Sequence, residues 1–417
     1  MKYLLIASLT ACSLSAQVTV FTHATLIDGS GRAPVPDTTM VVSGGRITDL
    51  GPASKVKTPA GAQVVDLSGQ YIIPGIINLH SHAGENTAAR ARTYASYGIT
   101  SIVSLGVTGT AGMKGDSEEM AKVREAQRSG AIDGARVYTS GRRFEYDKDP
   151  AEARAMVDKL AAQHADVVKI VVDNRRGTAM KLPREVALAV IDEAHKRHLK
   201  VFAHIHDYED AKFLVDNGVD MLAHEIRDRE VDEALIAAMK KHGVVLTPTL
   251  SRELSVYLWI DPPAWSKDPF FMNGTTPERL KRIDELKVSQ AKDPELALDH
   301  KDFDLAAINL KKMAAAGVRI GMGSDSGNGP PRYEGFFEHL EMELMEKNGG
   351  MTPMQVLEAA TKTNAEALGV AKDFGTLAKG KVADFDVLRK NPLDDIVNTR
   401  TLSAVYIGGQ KMPSVGN

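Results

Sequence analysis

The chain has 417 residues, 43% hydrophobic and 25% charged, with a formal net charge of −3. Those proportions exclude a disordered or fibrous chain and leave material for a large core. A near-neutral balance without blocks of like charge gives no electrostatic footprint for nucleic acid or an anionic membrane.

Residues 1–16 read as a targeting segment. Lys2 supplies the positive end, residues 3–9 the apolar stretch, and Ala16 a small residue before Gln17. The stretch is too short to remain as a membrane span. Signal peptide cleavage and export to the periplasm or medium are expected. In a competing reading, Leu9-Thr10-Ala11-Cys12 is a lipoprotein processing box and Cys12 a lipidated anchor. Cys12 is the only cysteine, which removes disulfides, thiolate metal sites and cysteine nucleophiles from the folded chain.

Short β-like runs follow at 18–26, 39–42, 46–50 and 63–67, punctuated by Asp28-Gly29, Gly44-Gly45 and Pro59-Ala60-Gly61. The tail repeats the pattern at 382–388 and 402–407, with Gly408-Gly409 as a hairpin turn. The two ends, 17–73 and 376–417, are expected to form one small β-sandwich domain around residues 74–375.

That middle alternates. Strand-like runs fall at 76–80, 99–105, 136–140, 167–172, 201–204, 219–223, 244–249 and 318–323. Helical patterns at 152–164, 183–198, 209–217 and 231–242 separate several of them. Eight strands alternating with helices predict an α/β fold, a (β/α)8 TIM-like barrel. A doubly wound sheet is the alternative. The connection at 251–301 is far longer than a usual loop. It carries Trp259, Trp265 and Phe270-Phe271 and is expected to cover the site, with Trp259 and Trp265 touching substrate. Aromatics that only anchor the insertion are the blander reading.

In such a barrel, function sits at the C-terminal strand ends. His80 and His82 close the first run, Lys169 lies within Val167-Val-Lys-Ile-Val-Val172, His204 ends the fifth, His224 the sixth and Asp325 follows the eighth. Singly, Lys169 could snorkel to water, His204 and His224 could be satisfied core histidines, and Asp325 could cap a turn. Together they describe one metal site. A central strand has no wet edge, so burial favours the neutral amine of Lys169. A neutral amine can take up carbon dioxide and become a carbamate able to bridge two metals. His206 is a candidate substrate contact.

The segments Tyr71-Ile-Ile-Pro-Gly-Ile-Ile-Asn-Leu-His-Ser-His82, Val168-Lys-Ile170, Ala203-His-Ile-His206, Leu222-Ala-His-Glu225 and Gly321-Met-Gly-Ser-Asp-Ser-Gly327 resemble the amidohydrolase superfamily. The similarity is to its branch of imidazolonepropionases and Xaa-Pro dipeptidases. The tail Thr361-Lys-Thr-Asn-Ala-Glu-Ala-Leu-Gly369 with Gly380-Lys-Val-Ala-Asp384 is similar to the same branch. The resemblance implies that His80 and His82 bind a first metal and that carbamylated Lys169 bridges. It also implies that His204 and His224 bind a second metal and that Asp325 ligates and shuttles the proton. The chain departs from the pattern after His82, where the connection to the second strand is short and a pocket-shaping loop is trimmed.

Imidazole and oxygen ligands suit two divalent ions, zinc first. The expected reaction is hydrolysis of a C–N bond in a small amide, N-acyl amino acid or dipeptide by a metal-bridging hydroxide, with Asp325 as general base and then acid. Rival readings are a one-metal deaminase or a lactonase on the same scaffold, or a non-catalytic binding protein. The expected partner is a small-molecule substrate, and a homo-oligomer is compatible with the composition.

Overall fold

The structure, a computed structural model, describes residues 18–106, 116–328 and 332–415. The expected targeting segment and Cys12 lie outside the described residues. Five strands open the chain: β1 (Thr19–Leu26), β2 (Val35–Ser43), β3 (Arg46–Pro52), β4 (Gln63–Asp66) and β5 (Tyr71–Pro74). The middle holds β6 (Ile76–Ser81), β7 (Ile99–Ser104), β8 (Arg136–Thr139), β9 (Arg143–Phe144), β10 (Val167–Val172) and β11 (Lys200–Ile205), then β12 (Met221–Ala223), β13 (Val245–Thr247) and β14 (Arg319–Ile320). The chain closes on β15 (Phe385–Leu388), β16 (Leu402–Ile407) and β17 (Gln410–Met412).

Strands from both ends share one eight-stranded sheet in the order β17-β16-β15-β5-β1-β2-β3, with β4 beside β1. The join between the ends is β5 against β15, antiparallel, from Phe385 opposite Pro74 to Leu388 opposite Tyr71. Phe21, Phe385 and Tyr406 pack together over this sheet, with Phe385 and Tyr406 stacked at 4.6 Å. A chain whose ends complete each other's sheet leaves fewer unpaired edges than two separate halves would.

The middle strands pair in parallel, as a six-stranded sheet β14-β13-β12-β11-β10-β9 and a three-stranded sheet β6-β7-β8. Parallel sheets covered on both faces require strands that are apolar throughout. β10 is buried at all six positions. Val168, Ile170 and Val172 pack outward with the helices, whereas Val167 joins an inner cluster with Leu79, Leu105, Phe202 and Met221. Single backbone bonds run between the two sheets. Leu79 N–H donates to Met322 O (3.1 Å), His82 N–H to Ser326 O (2.9 Å), and Asp325 N–H to His80 O (2.8 Å). Near β8, Asp166 N–H donates to Thr139 O at 2.8 Å.

The eighth predicted strand, 318–323, contracts to two residues in β14. The chain beyond it instead presses against β6, and a Cβ on Gly323 would meet His80 Cβ at 2.8 Å. The close approach therefore requires glycine. The predicted helices appear as Pro150–Ala162, Arg184–Lys196, Tyr208–Asp216 and Glu233–His242. The first begins where Asp149 caps the N–H groups of Ala151 and Glu152, and the last ends at Gly243 with φ 68°. The long connection is not a bare loop: it folds into helices Leu250–Ser255, Pro269–Met272, Pro277–Gln290 and Leu296–Ala315. No helix among the described residues is long and apolar enough to cross a membrane.

Candidate metal centre

His80, His82, Lys169, His204, His224 and Asp325 all line one cavity of about 380 Å³ at the C-terminal ends of the parallel strands. His80, His82 and Asp325 form its tightest group, with ligand-capable atoms all within 4.8 Å of one another. His82 Nε2 lies 2.7 Å and His80 Nε2 3.4 Å from Asp325 Oδ1. The imidazoles continue as a chain: ring centroids are 4.7 Å apart for His80 and His224, and 4.3 Å for His224 and His204.

Local backbone explains two of these placements. Alternation from Met221 and Ala223 would send His224 to the opposite face, but its φ of 76° breaks the strand. Asp325 also adopts a left-handed backbone, φ 55°. Such conformations cost about 1–3 kcal/mol each and mark positions that the surrounding structure over-determines. Around Asp325 the support is visible. Arg332 Nε donates to its carbonyl at 2.8 Å, and Glu338 accepts from Ser324 and Ser326 on either side. Asn78 donates to the same Glu338 at 2.6 Å, tying β6 into the network.

Three of the histidines have one ring nitrogen held from outside. His82 Nδ1 bonds the Gly106 carbonyl, His224 Nδ1 lies 2.6 Å from Thr249 Oγ1, and His204 Nε2 lies 2.9 Å from Asp173 Oδ2. Fixing one nitrogen orients the ring and leaves the other as a ligand, the usual arrangement around bound metals. Two further atoms are buried with no hydrogen-bond partner, His80 Nδ1 and Lys169 Nζ. Burial without a partner is costly for a polar atom and demands an account. A group of imidazoles, one amine and one carboxylate, with orphaned nitrogens inside, is chemically suited to divalent cations.

The electrostatics agree. Burial pushes the Lys169 ammonium down to about 7, with Arg143 adding repulsion against the opposing pull of Asp325. Burial also drives His80 and His224 far below the ordinary imidazole range and His204 down to about 4, so all three are neutral at pH 7. Burial would raise Asp325, but Arg332, His80 and His82 outweigh it and hold the carboxyl well below its usual range.

His206 also lines the cavity, with Nδ1 2.8 Å from Asp207 and Nε2 3.4 Å from Asp302. The expectation for Trp259 and Trp265 is corrected. Neither lines the cavity. Trp259 is fully buried, its ring 5.8 Å from Trp265 and 6.1 Å from Phe271, and Trp265 lies 4.5 Å from Phe336. The largest apolar groups gain most by leaving water, so they form the insertion's own core. The same segment reaches the cavity through Arg252, Val256, Glu295, Asp299 and Asp302. Sequence reasoning missed these, along with Arg143, Glu145, Asp173 and Arg332. Asp173 carried a signal, as a polar residue ending the apolar run 167–172; an arginine far along the chain carries none.

Comparison with known proteins places the chain. Aspergillus niger ochratoxinase is 27% identical over 278 residues, which cover 64% of this chain and 50% of that protein. The chain thus spans about half the length of that relative. An imidazolonepropionase of Pseudomonas putida (strain GB-1) is 27% identical over 387 residues, covering 87% of this chain and 90% of its own. The solved structure of a Bifidobacterium longum protein, proposed to be a prolidase, superposes with a TM-score of 0.78 at 26% identity over 96% of both chains. A family profile matches residues 71–412, most of the sequence, and by that match the chain belongs to the Amidohydrolase family.

Proposed function

We propose that the protein is a metal-dependent hydrolase that cleaves the C–N bond of a small amide, N-acyl amino acid or dipeptide. The observation that carries this reading is Lys169: an amine sealed among four imidazoles and Asp325, with no hydrogen-bond partner and a basicity lowered to near neutrality. A structural lysine gains nothing there, whereas a carbamate on that nitrogen supplies the missing oxygen ligands. In this reading His80 and His82 would hold one cation and His204 and His224 a second, and carbamylated Lys169 would supply oxygen ligands to both. Asp325 completes the first group, and zinc suits the donor set. The backbone bonds between β6 and residues 322–326 support a (β/α)8 barrel as the frame. The shared sheet of the two ends supports a small β-domain, 17–73 plus 376–417, beside it.

Two divalent cations, when bound, supply Lewis acidity that polarises a carbonyl and acidifies water. The protein's own groups do the rest. Asp325, already adjacent to His80 and His82, accepts a proton from the attacking water as the C–O bond forms. It then returns that proton to the departing nitrogen as the C–N bond breaks, which leaves a carboxylic acid and an amine. Arg332, bonded to the Asp325 carbonyl, holds that carboxyl in place. A one-metal deaminase would have no use for Lys169.

Elemental analysis of zinc-loaded protein should find about two ions per chain. A panel of amides, N-acyl amino acids and X-Pro dipeptides should release free amine. Protein that opens lactones while cleaving no C–N bond, or that takes up no metal, would overturn the proposal.

A further inference from the structure

The cavity wall beside Asp325 carries more positive charge than its carboxylates balance. Arg227 and Arg252 share a single partner, Glu253, Arg227 through Oε1 and Arg252 through Oε2 at 2.7 Å. Arg332 has its Nη2 3.4 Å from Asp325 Oδ2, yet that carboxylate is already engaged with His80 and His82. Arg227 and Glu253 are nearly sealed, at 2% and 3% exposed, whereas the Arg252 side chain is 31% and the Arg332 side chain 12% exposed. A surplus of cation at the wall of a cavity favours a ligand anion that completes it.

Arg175 also lines the cavity and pairs through Nη2 with Glu145, so it is the donors beside Asp325 that mark where that anion belongs. Arg143 is spent on Glu145, and Arg176 on Glu295, Asp299 and Asp302. Among the described residues, the Arg252 side chain makes one hydrogen bond, through Nη1 to Glu253. Arg332 uses Nε for Asp325 O and Nη2 for Asn328 O. Nε and Nη2 of Arg252 and Nη1 of Arg332 therefore have no protein hydrogen bond among the described residues. They are also absent from the sealed polar atoms of the interior, and both side chains line the cavity.

We infer that Arg252 and Arg332 bind a carboxylate carried by the amine half of the substrate. Guanidinium forks match carboxylate oxygens in both charge and geometry. Both side chains lie near Asp325, the group that protonates the departing nitrogen in the reaction proposed above. A carboxylate held there is attached to the leaving amine, one or two carbons from its nitrogen. The favoured substrate is then an N-acylated amino acid or a dipeptide with a free C-terminus, and the uncharged amide of the same compound is disfavoured. The assignment rests on the hydrolase reading only for which half of the substrate leaves.

Binding and turnover separate the two claims. Calorimetry on zinc-loaded protein would compare a set of N-acetyl amino acids with the matching N-acetyl amino acid amides, and amine release would be followed for both. The acids should bind at least about tenfold tighter, the scale of one charge-assisted pair in a desolvated site. Arg252→Gln should erase most of that preference and Arg252→Lys should restore part of it, because the charge returns without the fork. Arg332→Gln should act likewise, with circular dichroism confirming that the Asp325 turn remains folded. Acids that bind preferentially but are never cleaved would retain the carboxylate site and sink the hydrolase reading. Cleavage with no preference for the acid, a preference untouched in Arg252→Gln, or no binding of either set would sink the carboxylate site.

Discussion

The insertion after β13 contains two regions of opposite character. One is dry: Trp259, Trp265, Phe270 and Phe271 pack on Phe336 and Tyr333. The other is charged: Arg252, Glu295, Asp299 and Asp302 border the cavity, where Arg176 reaches across from the loop after β10 to bond Asp299 at 2.8 Å and Asp302 at 2.6 Å. The contrast teaches that an insertion beside a charged cavity divides its labour by burial. Aromatic groups stabilise the added layer, and ionic groups border the cavity.

Histidines show the same division. His339 is buried against the aromatic region, 4.9 Å from the Phe270 ring, with its nitrogens 2.9 Å from Thr399 Oγ1 and 2.7 Å from the Tyr97 carbonyl. Both of its nitrogens are satisfied by the protein, as a structural histidine requires. His80, in the cavity, keeps Nδ1 with no hydrogen-bond partner among the described residues.

Changing the cavity groups that the charged region borders should have the largest effect. Asp325→Asn should lower kcat by roughly 10²–10⁴ while the melting temperature holds or rises, since Asn tolerates the left-handed backbone. Near-normal kcat would remove Asp325 from the reaction. Lys169→Ala should lose metal and activity together, and added short-chain carboxylic acid should recover part of both by replacing the carbamate oxygens. Full metal content in that variant would refute the bridge.

The dry region should respond through stability instead. Trp259→Ala empties a fully buried site and should cost about 3–5 kcal/mol in unfolding free energy. Activity towards different substrates should fall in proportion. A changed substrate ratio at unaltered stability would return Trp259 to the substrate surface.

The smallest effect is a pH dependence. Burial holds the His339 imidazole down at about 3, against an ordinary value of 6.5, with Arg400 adding to the effect. Below about 6.5 the unfolded chain takes up a proton that the folded protein refuses. The stability His339 contributes is therefore present above that pH and declines as pH falls towards 3. Urea unfolding at pH 7.5 and 5 should show a smaller loss in His339→Gln than in the parent chain. Equal losses would mean that the cavity histidines alone carry the acid sensitivity.

Much of this architecture was legible because burial on two sides leaves a mark on composition. The runs Val167–Val172 and Ile76–Ser81 are buried throughout and mostly apolar, as covered parallel strands must be. A charged or imidazole side chain inside such a run stands out, and so His80, Lys169 and His204 were readable as a group. The extents of β12, β13 and β14 were less readable. Their ends are set by where the chain leaves the sheet, at His224, Thr249 and Gly321, which is a matter of backbone conformation and close contact.

The sequence by itself determined the alternating parallel framework, the return of the C-terminal strands to the N-terminal ones, and the set of imidazoles, amine and carboxylate that meets in the cavity. Each follows from local periodicity and from the chemistry of a few residues at strand ends. Only the tertiary structure decided which face of the insertion meets the cavity, that Asp173 holds His204, and that Arg252 and Arg332 flank Asp325. Those depend on contacts that no local pattern encodes, between residues as far apart as Asp173 and His204. An arginine or a tryptophan looks the same in the sequence whether it packs, bridges or binds, and only its neighbours assign the role.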